Sequence, residues 1–280
     1  MAVLRIISDL HYGDRASAVH ALEQIAPLLN GVATLVCNGD STDTRPGPDP
    51  ENTRRHLAEL RDFGRAHGGR VRFVTGNHDP DISAVDWLDA AGPEVLITHG
   101  DVLFEAIVPW GRDAALAREL VARARRELPG SERDLALLLQ AHRRAAANIP
   151  QRHQSERRGL KYLAGFLADT VWPLDRGLRI LQAWREQPRR AQNLMRTHRP
   201  QARFLVIGHT HRPGIWTLRD GRTLINTGSF CPPSGRLLVD LQPDALLVRR
   251  IALRRGSYSA GKTVARFALT PAADPVRPSA

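Results

Sequence analysis

The sequence predicts a layered α/β protein, and two observations carry that prediction. Along the first hundred residues, short apolar runs rich in Val, Ile, Leu and Thr alternate with helical patterns, a rhythm typical of sheets covered by helices. The strand pattern then resumes after residue 200, beyond a long helical stretch. We therefore expect an α/β core formed by residues 1–104 and 201–270, interrupted by a helical insert over residues 105–200.

The elements of the core follow from these patterns in order. In the first part, strands are predicted for VLRIISD, ATLVCNGD, VRFVTGNHD and EVLITHGD, with helices over Ala16–Leu29, Glu51–His67 and Ile82–Ala91. In the second part, strands are predicted for RFLVIGHTH, GIWTL, TLINTGSF, RLLVDLQ and ALLVRRI. The Pro- and Ala-rich residues 271–280 are expected to be a disordered tail.

The insert is predicted to hold four helices. They are RDAALARELVARARREL, SERDLALLLQAHRRAAAN, SERRGLKYLAGFLADTVW and GLRILQAWREQ. Ser131 and Ser155 are expected to cap the second and third, and Pro188 is expected to end the fourth. The insert is also basic, with 19 Arg and Lys against 10 Asp and Glu between residues 105 and 199, which is +9 of the net +11. Such a surface suits phosphate, nucleic acid or an anionic membrane.

The same composition excludes some classes of protein. No apolar run approaches the ~20 residues of a membrane span, and the N-terminal MAVLRIISDLHYGD lacks the charged and apolar regions of a cleaved signal. The expected location is the cytoplasm, with peripheral contact at the inner membrane surface through the basic insert as a further expectation.

Side chains with oxygen or nitrogen donors follow the predicted strands where the strands end, the position at which α/β sheets gather functional groups. Residues i and i+2 of an extended chain face the same side, so Asp9 and His11 can aim at one point. The donors at strand ends are Asp9, His11, Asp40, Asn77, His78, Asp79, His99, Asp101, His209, His211 and Asn226. Glycines precede Asp40, Asn77 and His209 and permit close approach. Of these residues, Asn226 is expected to be structural, and Asp101 to lie behind the ligands or to serve only as a turn acid. The ordered set as a whole predicts a metal site.

The blocks D-x-H, G-D, G-N-H-D, H and G-H-x-H occur in that order. In this pattern the chain resembles the calcineurin-like metallophosphoesterase superfamily, and the resemblance covers almost the whole sequence outside the insert. The resemblance implies a four-layer αββα sandwich, in which two face-to-face sheets are covered by helices and two metal ions are held. It implies these ligands: Asp9, His11 and His211 for the first ion, Asp40 bridging both, and Asn77, His99 and His209 for the second. It also places His78 beside the metals, oriented by Asp79.

The mixed donors indicate the chemistry. Nitrogen and oxygen ligands together suit Mn, Fe or Zn rather than Mg or Ca alone, so we expect two divalent transition-metal ions, with Mn first. Two such ions can hold a phosphoryl group and activate a water. His78 would hydrogen-bond the phosphoryl oxygen or protonate the leaving group, or would only orient its neighbours. The sequence predicts a hydrolase acting on a phosphomonoester, phosphodiester or pyrophosphate bond.

The substrate prediction depends on the insert. A helical lid between ITHGD and IGHTHRP resembles one branch of the superfamily, the bacterial UDP-2,3-diacylglucosamine pyrophosphatases. That resemblance implies a nucleotide-lipid substrate, with arginines for phosphates and a Leu/Phe groove for acyl chains. Arg157, Arg158 and Lys161 are the candidate phosphate contacts. The chain differs from that branch at position 78, where those enzymes generally have Arg and this chain has His78. It also differs in the segment that follows Asp40, within NGDSTDTRPGPDPEN.

Two alternatives remain open at this point. The positive insert would also suit a nucleic-acid phosphodiesterase or nuclease, although helices are expected to bury most of the insert aromatics, such as Trp110 and Trp184, which leaves few faces for base stacking. A non-catalytic scaffold of the same fold is the other alternative, and the intact ligand set disfavours it. The expected partner is a phosphate-containing small molecule or lipid, ahead of nucleic acid.

Overall fold

The computed structural model describes residues 3–151, 175–270 and, for the backbone alone, 276–278. The predicted substrate contacts Arg157, Arg158 and Lys161 lie outside the described residues, as does the helix predicted to begin at Ser155. The division of the chain into core, insert and tail stays a prediction.

One six-stranded sheet, the first sheet, combines strands from both ends of the chain. Its strands in spatial order are β11 (Ser257–Ala268), β10 (Ala245–Arg254), β9 (Leu237–Leu241), β1 (Leu4–Ile7), β2 (Thr34–Asn38) and β3 (Val71–Val74). The neighbours β1, β2 and β3 run parallel, whereas β9, β10 and β11 extend the sheet antiparallel on the other side of β1. The carboxyl ends of β1 to β3 therefore share one edge.

The second sheet has the same size and a similar arrangement. Its strands in spatial order are β12 (Val276–Pro278), β4 (Trp87–Ala90), β5 (Val95–Thr98), β6 (Phe204–Ile207), β8 (Thr223–Asn226) and β7 (Gly214–Thr217). Its central strands β5, β6 and β8 run parallel, and antiparallel strands flank them. Because β5, β6 and β8 run in the same direction, their carboxyl ends share one edge of the second sheet, as those of β1 to β3 do in the first.

Three apolar layers hold the two sheets and the helices together. Between the sheets, Ile6 of β1 packs in one cluster with Ile97 of β5 and Val206 of β6. Their neighbours along the chain, Ile7 after Ile6 and Leu205 before Val206, point to the outer faces, as the period of two in a strand requires. Burial of each such side chain contributes about 1.5–3 kcal/mol. The predicted four-layer αββα sandwich is confirmed.

The helix α1 (Pro50–Ala66) covers the outer face of the first sheet, with Leu60 and Phe63 in that core. Asp49 caps it by accepting the backbone N–H of Asn52 at 2.9 Å, which satisfies one of the free donors of a helix start. This helix confirms the one predicted over Glu51–His67.

Three further helices are described between residues 105 and 200: α2 (Ala114–Glu127), α3 (Leu135–Ala147) and α4 (Asp175–His198). Leu138 of α3 and Leu194 of α4 pack on the outer face of the second sheet and form the fourth layer. The cap of α3 is Asp134 rather than Ser131, because its carboxylate accepts the N–H groups of Ala136 and Leu137. None of the described helices is long and apolar enough to span a membrane.

Two predicted helices of the core were wrong. Over Ala16–Leu29 the chain forms short 3₁₀ turns at Leu22–Gln24 and Ala26–Leu29. The buried residues Val19, Leu22, Ile25 and Leu28 recur every three positions, which is the period of a 3₁₀ helix rather than an α-helix. The segment predicted as the helix Ile82–Ala91 ends in β4, where buried Leu88 and Ala90 alternate with half-buried neighbours.

Candidate metal centre

The predicted donors lie at the edge where the carboxyl ends of the parallel strands of both sheets meet. Asp9 and His11 follow β1, Asp40 follows β2, and Asn77 follows β3. His99 follows β5, and His209 and His211 follow β6. The first sheet thus supplies most of the oxygen donors and the second sheet most of the imidazoles.

Asp9, His11 and His211 form one cluster, with one possible ligand atom from each residue within 4.8 Å of the others. The Nε2 atoms of His11 and His211 are 3.2 Å apart, and His211 Nε2 lies 3.1 Å from Asp9 Oδ1. Such separations fit donors that share one ion at metal–ligand distances of about 2.0–2.2 Å.

Asp40, His99 and His209 form a second cluster within the same 4.8 Å limit. His99 Nε2 lies 3.2 Å from Asp40 Oδ2 and 3.2 Å from Asn77 Oδ1. Asp40 Oδ2 also lies 3.9 Å from His11 Nε2 of the first cluster. The structure therefore brings together all seven predicted ligands, with Asp40 between the two groups, while their assignment to individual ions stays a prediction.

The backbone at this edge is held in an unusual conformation. Asp9, His11, Asp40, His209 and His211 all take left-handed φ angles between 47° and 65°, which non-glycine residues rarely adopt. Residues of this kind cluster at functional sites. Gly208 and Gly76 permit the close approach, because a Cβ there would overlap the carboxylates of Asp9 and Asp40.

Two of the imidazoles, those of His11 and His209, are suited to act as neutral ligands. Burial lowers the pKa of His11 to about 4 and that of His209 to about 3, so both rings are neutral at pH 7 and present a lone pair. In the buried rings of His99 and His209, one nitrogen already has a backbone partner: His99 Nδ1 lies 3.1 Å from the Asn38 carbonyl, and His209 Nε2 lies 2.9 Å from the Ile107 carbonyl. Such bonds fix the orientation of a metal-binding ring.

The carboxylates stabilise positive charge in the centre. Burial raises the pKa of Asp40, but His99 and His78 lower it more, so that it lies well below its usual value. Burial likewise lowers the pKa of His99, but Asp40 raises it well above its usual value. A positive charge is therefore favoured between these two side chains, and a metal ion supplies one. The donor set, the neutral imidazoles and this charge all fit a pair of divalent cations.

The structure corrects the predicted role of Asp79. Its buried carboxylate accepts the backbone N–H groups of Asp40 at 2.9 Å, Ser41 at 2.6 Å and Gly76 at 2.8 Å. A carboxylate satisfies backbone donors well, and here it fixes the loop that carries Asp40. Asp79 thus braces a candidate ligand, rather than orienting the ring of His78.

His78 is instead held by two residues that the sequence interpretation missed. Its Nδ1 lies 2.9 Å from Asp43 Oδ2 and 2.8 Å from Arg45 Nη2, and Asp43 and Arg45 also pair with each other. Burial raises the pKa of Asp43, but His78 and Arg45 hold it below its usual range. The signal available was their position three and five residues after Asp40, in the loop that follows β2.

Helix α4 holds the turn that carries His209 and His211. Thr210, between these histidines, donates its hydroxyl to Gln187, and its carbonyl accepts the indole N–H of Trp184 at 3.0 Å. From the other side, Asn226 Nδ2 donates to Thr210 Oγ1 at 2.9 Å. Asn226, expected to be structural, therefore supports the turn together with α4.

Pro188 lies inside α4 and does not end it as predicted. A proline has no N–H, so the carbonyl four residues earlier, that of Trp184, loses its helical partner. Arg212 donates to this carbonyl at 3.3 Å, and its guanidinium stacks 5.4 Å from the rings of both Trp184 and Trp216. The helix thus accommodates Pro188 through a residue adjacent to His211.

An apolar cavity of about 210 Å³ opens beside the ligands. Val108, Trp110, Ile180 and Trp184 line it together with His11, His78 and His211. Trp110 lies 5.6 Å from the ring of His209. Both tryptophans are half-buried and face the centre, whereas the sequence predicted that helices would bury them.

A two-sheet sandwich with adjoining His and Asp clusters at the ends of its strands has the architecture of a candidate dinuclear metal centre. The family model described as calcineurin-like phosphoesterase matches residues 3–213. The chain belongs to this family.

Solved structures with a similar fold include vacuolar protein sorting 29 from Cryptosporidium parvum, at 13% identity and a TM-score of 0.43, covering 95% of this chain and 98% of that one. A dimetal phosphatase from Danio rerio matches at 14% identity and a TM-score of 0.45, covering 97% and 99%. A predicted phosphoesterase from Streptococcus pneumoniae matches at 16% identity and a TM-score of 0.35, covering 96% of this chain and 99% of that one. No curated protein sequence matches significantly. Likenesses this low support no argument about function.

Proposed function

We propose that this protein is a dinuclear-metal-dependent phosphoesterase that hydrolyses a phosphate ester or anhydride bond. The observation that carries the proposal is the pair of adjoining ligand clusters with Asp40 between them. When bound, two divalent ions supply Lewis-acid stabilisation of a phosphoryl group and an activated water. Manganese is the metal we propose, since histidine nitrogens and carboxylate oxygens contribute together.

His78 is the proposed proton donor to the leaving group. Its ring lies 5.1 Å from that of His11, centroid to centroid, so it stands at the centre without belonging to either cluster. Asp43 accepts a hydrogen bond from Nδ1–H, which leaves Nε2 as the nitrogen that would give up the proton. Nδ1 keeps its proton in both the imidazolium and the neutral ring, so Asp43 holds the ring in one orientation while Nε2 loses and regains its proton, as a general acid requires.

The substrate we propose is an ester of phosphate with an apolar group, for which a nucleotide-lipid of the UDP-diacylglucosamine type is a candidate. The apolar cavity lined by Val108, Trp110, Ile180 and Trp184 supports this, because such a surface binds aliphatic or aromatic groups. Arg212, stacked between two tryptophans, offers a fixed positive charge beside the cavity.

Peripheral contact with an anionic membrane would suit such a substrate. Leu178 and Leu181 of α4 are 68% and 58% exposed, and Arg179 and Arg185 lie on the same helix. Exposed leucines with arginines beside them favour a lipid interface. Sedimentation with phosphatidylglycerol vesicles should fall at least several-fold in the double variant Leu178→Ser/Leu181→Ser, and unchanged sedimentation would count against the contact.

A turnover screen with added Mn²⁺ tests the proposed function. The panel holds bis(p-nitrophenyl) phosphate, p-nitrophenyl phosphate, a UDP-linked lipid and single-stranded DNA. Hydrolysis of at least one small ester, abolished by chelation, is the expected result. Preferred cleavage of DNA would instead favour the nuclease alternative. Metal binding without hydrolysis of any substrate would favour a non-catalytic scaffold and contradict the proposal.

A further inference from the structure

A second and larger cavity, of about 450 Å³, opens beside the first ligand cluster. It is bounded by the loop after β1, the loop after β2, and the first turns of α1. His11 lines both this cavity and the apolar one. A phosphoryl group at the candidate ligands would therefore have two spaces of different chemistry next to it.

The walls of the larger cavity, here called the polar cavity, carry more acceptors of hydrogen bonds than positive charges. Asp14, Asp43 and Asp49 contribute carboxylates, and Arg15 is the one arginine among its described lining residues. A net negative wall disfavours a polyanion such as a nucleic-acid strand. Carboxylates, hydroxyls and amides likewise disfavour an acyl chain, because they would lose water without gaining partners.

An aromatic pair forms a rigid part of this wall. The rings of Tyr12 and His56 meet edge to face at 5.3 Å, and the Tyr12 hydroxyl donates to Glu59 at 2.7 Å. His56 lies so close to Gly13 that a Cβ there would overlap its ring. Burial lowers the pKa of His56, so the neutral ring offers one donor and one acceptor.

A buried amide fixes the loop after β2 in this wall. Gln151 lines the polar cavity and is 7% exposed. Its Nε2 donates to the Asp43 carbonyl at 3.0 Å, and its backbone N–H donates to the Pro46 carbonyl at 2.7 Å. Its Oε1 is enclosed beside Gly47, where a Cβ would overlap it, so this side chain sets the shape of the wall.

We propose that the polar cavity binds an uncharged, hydroxyl-bearing ring, of a sugar or a nucleoside, attached to the phosphorus of the substrate. This inference rests on the proposed phosphoesterase function and narrows it. Carboxylates and amides accept hydrogen bonds from hydroxyls, and the Tyr12–His56 pair gives the ring a flat surface. The substrate is then a diester or pyrophosphate with one polar and one apolar substituent, each directed into its own cavity.

Four chromogenic diesters test the proposal, because all release p-nitrophenol and differ only in the second substituent. These substituents are p-nitrophenyl, choline, the 6-position of glucose and the 5′-position of thymidine. With Mn²⁺ added, kcat/KM for the glucose or the thymidine diester should exceed that for bis(p-nitrophenyl) phosphate about tenfold or more, since each hydrogen bond contributes about 1 kcal/mol. Whichever of these two diesters has the higher kcat/KM shows whether the cavity prefers a sugar or a nucleoside.

Variants connect the preference to the polar cavity. His56→Ala and, separately, Asn52→Ala should each lower that ratio of kcat/KM at least about threefold, again by the loss of about one hydrogen bond. His20→Ala, which removes an exposed histidine elsewhere, is the matched control and should keep the ratio. Thermal melting of each variant shows whether it is folded.

The outcomes separate this inference from the proposed function. Hydrolysis with no preference for a hydroxyl-bearing ring, or with preference for the choline diester, would overturn the inference and leave the phosphoesterase intact. A preference that both cavity variants retain would overturn it as well. Cleavage of p-nitrophenyl phosphate without hydrolysis of any of the four diesters would overturn the inference as well, whereas absence of hydrolysis of the monoester and all four diesters would contradict the proposed function itself.

Discussion

The left-handed backbone conformation at the candidate ligands raises the free energy of the folded state, because these residues carry a side chain. Asp9, His11, Asp40, His209 and His211 all have positive φ, at a cost of order 1–3 kcal/mol each. The surrounding contacts must offset this cost, and the carboxylate of Asp79 makes three of them to backbone N–H groups. The side chains are consequently aimed before any ion arrives.

His78→Ala should keep metal binding and lose most turnover. The ring belongs to neither cluster, and loss of a general acid lowers the rate about 10²–10⁴-fold. The loss should be large for an alkyl leaving group and small for p-nitrophenol, which leaves without a proton. Metal content by elemental analysis and kcat for both kinds of ester measure the two effects, with His20→Ala as control. Equal losses for both esters would contradict the acid role.

Asp40→Asn should lower the metal content below two equivalents per chain. Asparagine keeps the shape of the side chain but removes the charge that lies 3.2 Å from His99 Nε2 and 3.9 Å from His11 Nε2. Elemental analysis after dialysis measures the content, and Asp62→Asn on the exposed face of α1 serves as control. Two full equivalents in the Asp40 variant would refute its position between the ions.

At the scale of elements, α4 acts on the centre through one short turn. Gln187→Leu should weaken metal binding about 10–100-fold, the usual effect of losing a residue that holds a ligand in place, because the hydroxyl of Thr210 loses its partner on α4 and, of the bonds from this helix, only that from Trp184 to its carbonyl remains. Titration calorimetry with Mn²⁺ measures this affinity. Gln182→Leu, on the exposed side of α4, should bind metal as the unchanged chain does. Equal affinity in both variants would show that the bond from Thr210 to Gln187 does not support metal binding.

Elements and ligands differ in how far the sequence could predict them. Helix α1 and the strands that end in ligands were predictable, because their apolar periods are long or their ends carry donors. The strand β4 has four residues, too few for alternation to outweigh a helical reading of the residues before it. Asp43 and Arg45 escaped prediction because they lie in a loop, where no period indicates that they meet His78.

At the scale of the whole molecule, the centre links the two sheets. Ligands from both sheets share each cluster, so a bound ion stabilises the folded sandwich and not the unfolded chain. Mn²⁺ at 100 times its Kd should add about 2.7 kcal/mol to the free energy of unfolding, and chelation should remove it. Thermal melts across a range of Mn²⁺ concentrations measure this, with Asp40→Asn as control. A Tm independent of Mn²⁺ would contradict metal binding by the fold.

The distance along the chain between partners also sets an order of events during synthesis. His11 and His211 lie 200 positions apart yet 3.2 Å from each other. A ribosome makes about 5–20 residues per second, so the first histidine waits roughly 10–40 seconds for the second. The amino-terminal strands can pair in that interval, but neither cluster is complete until β6 has emerged. Metal loading at these clusters would therefore be a late step in the maturation of the protein.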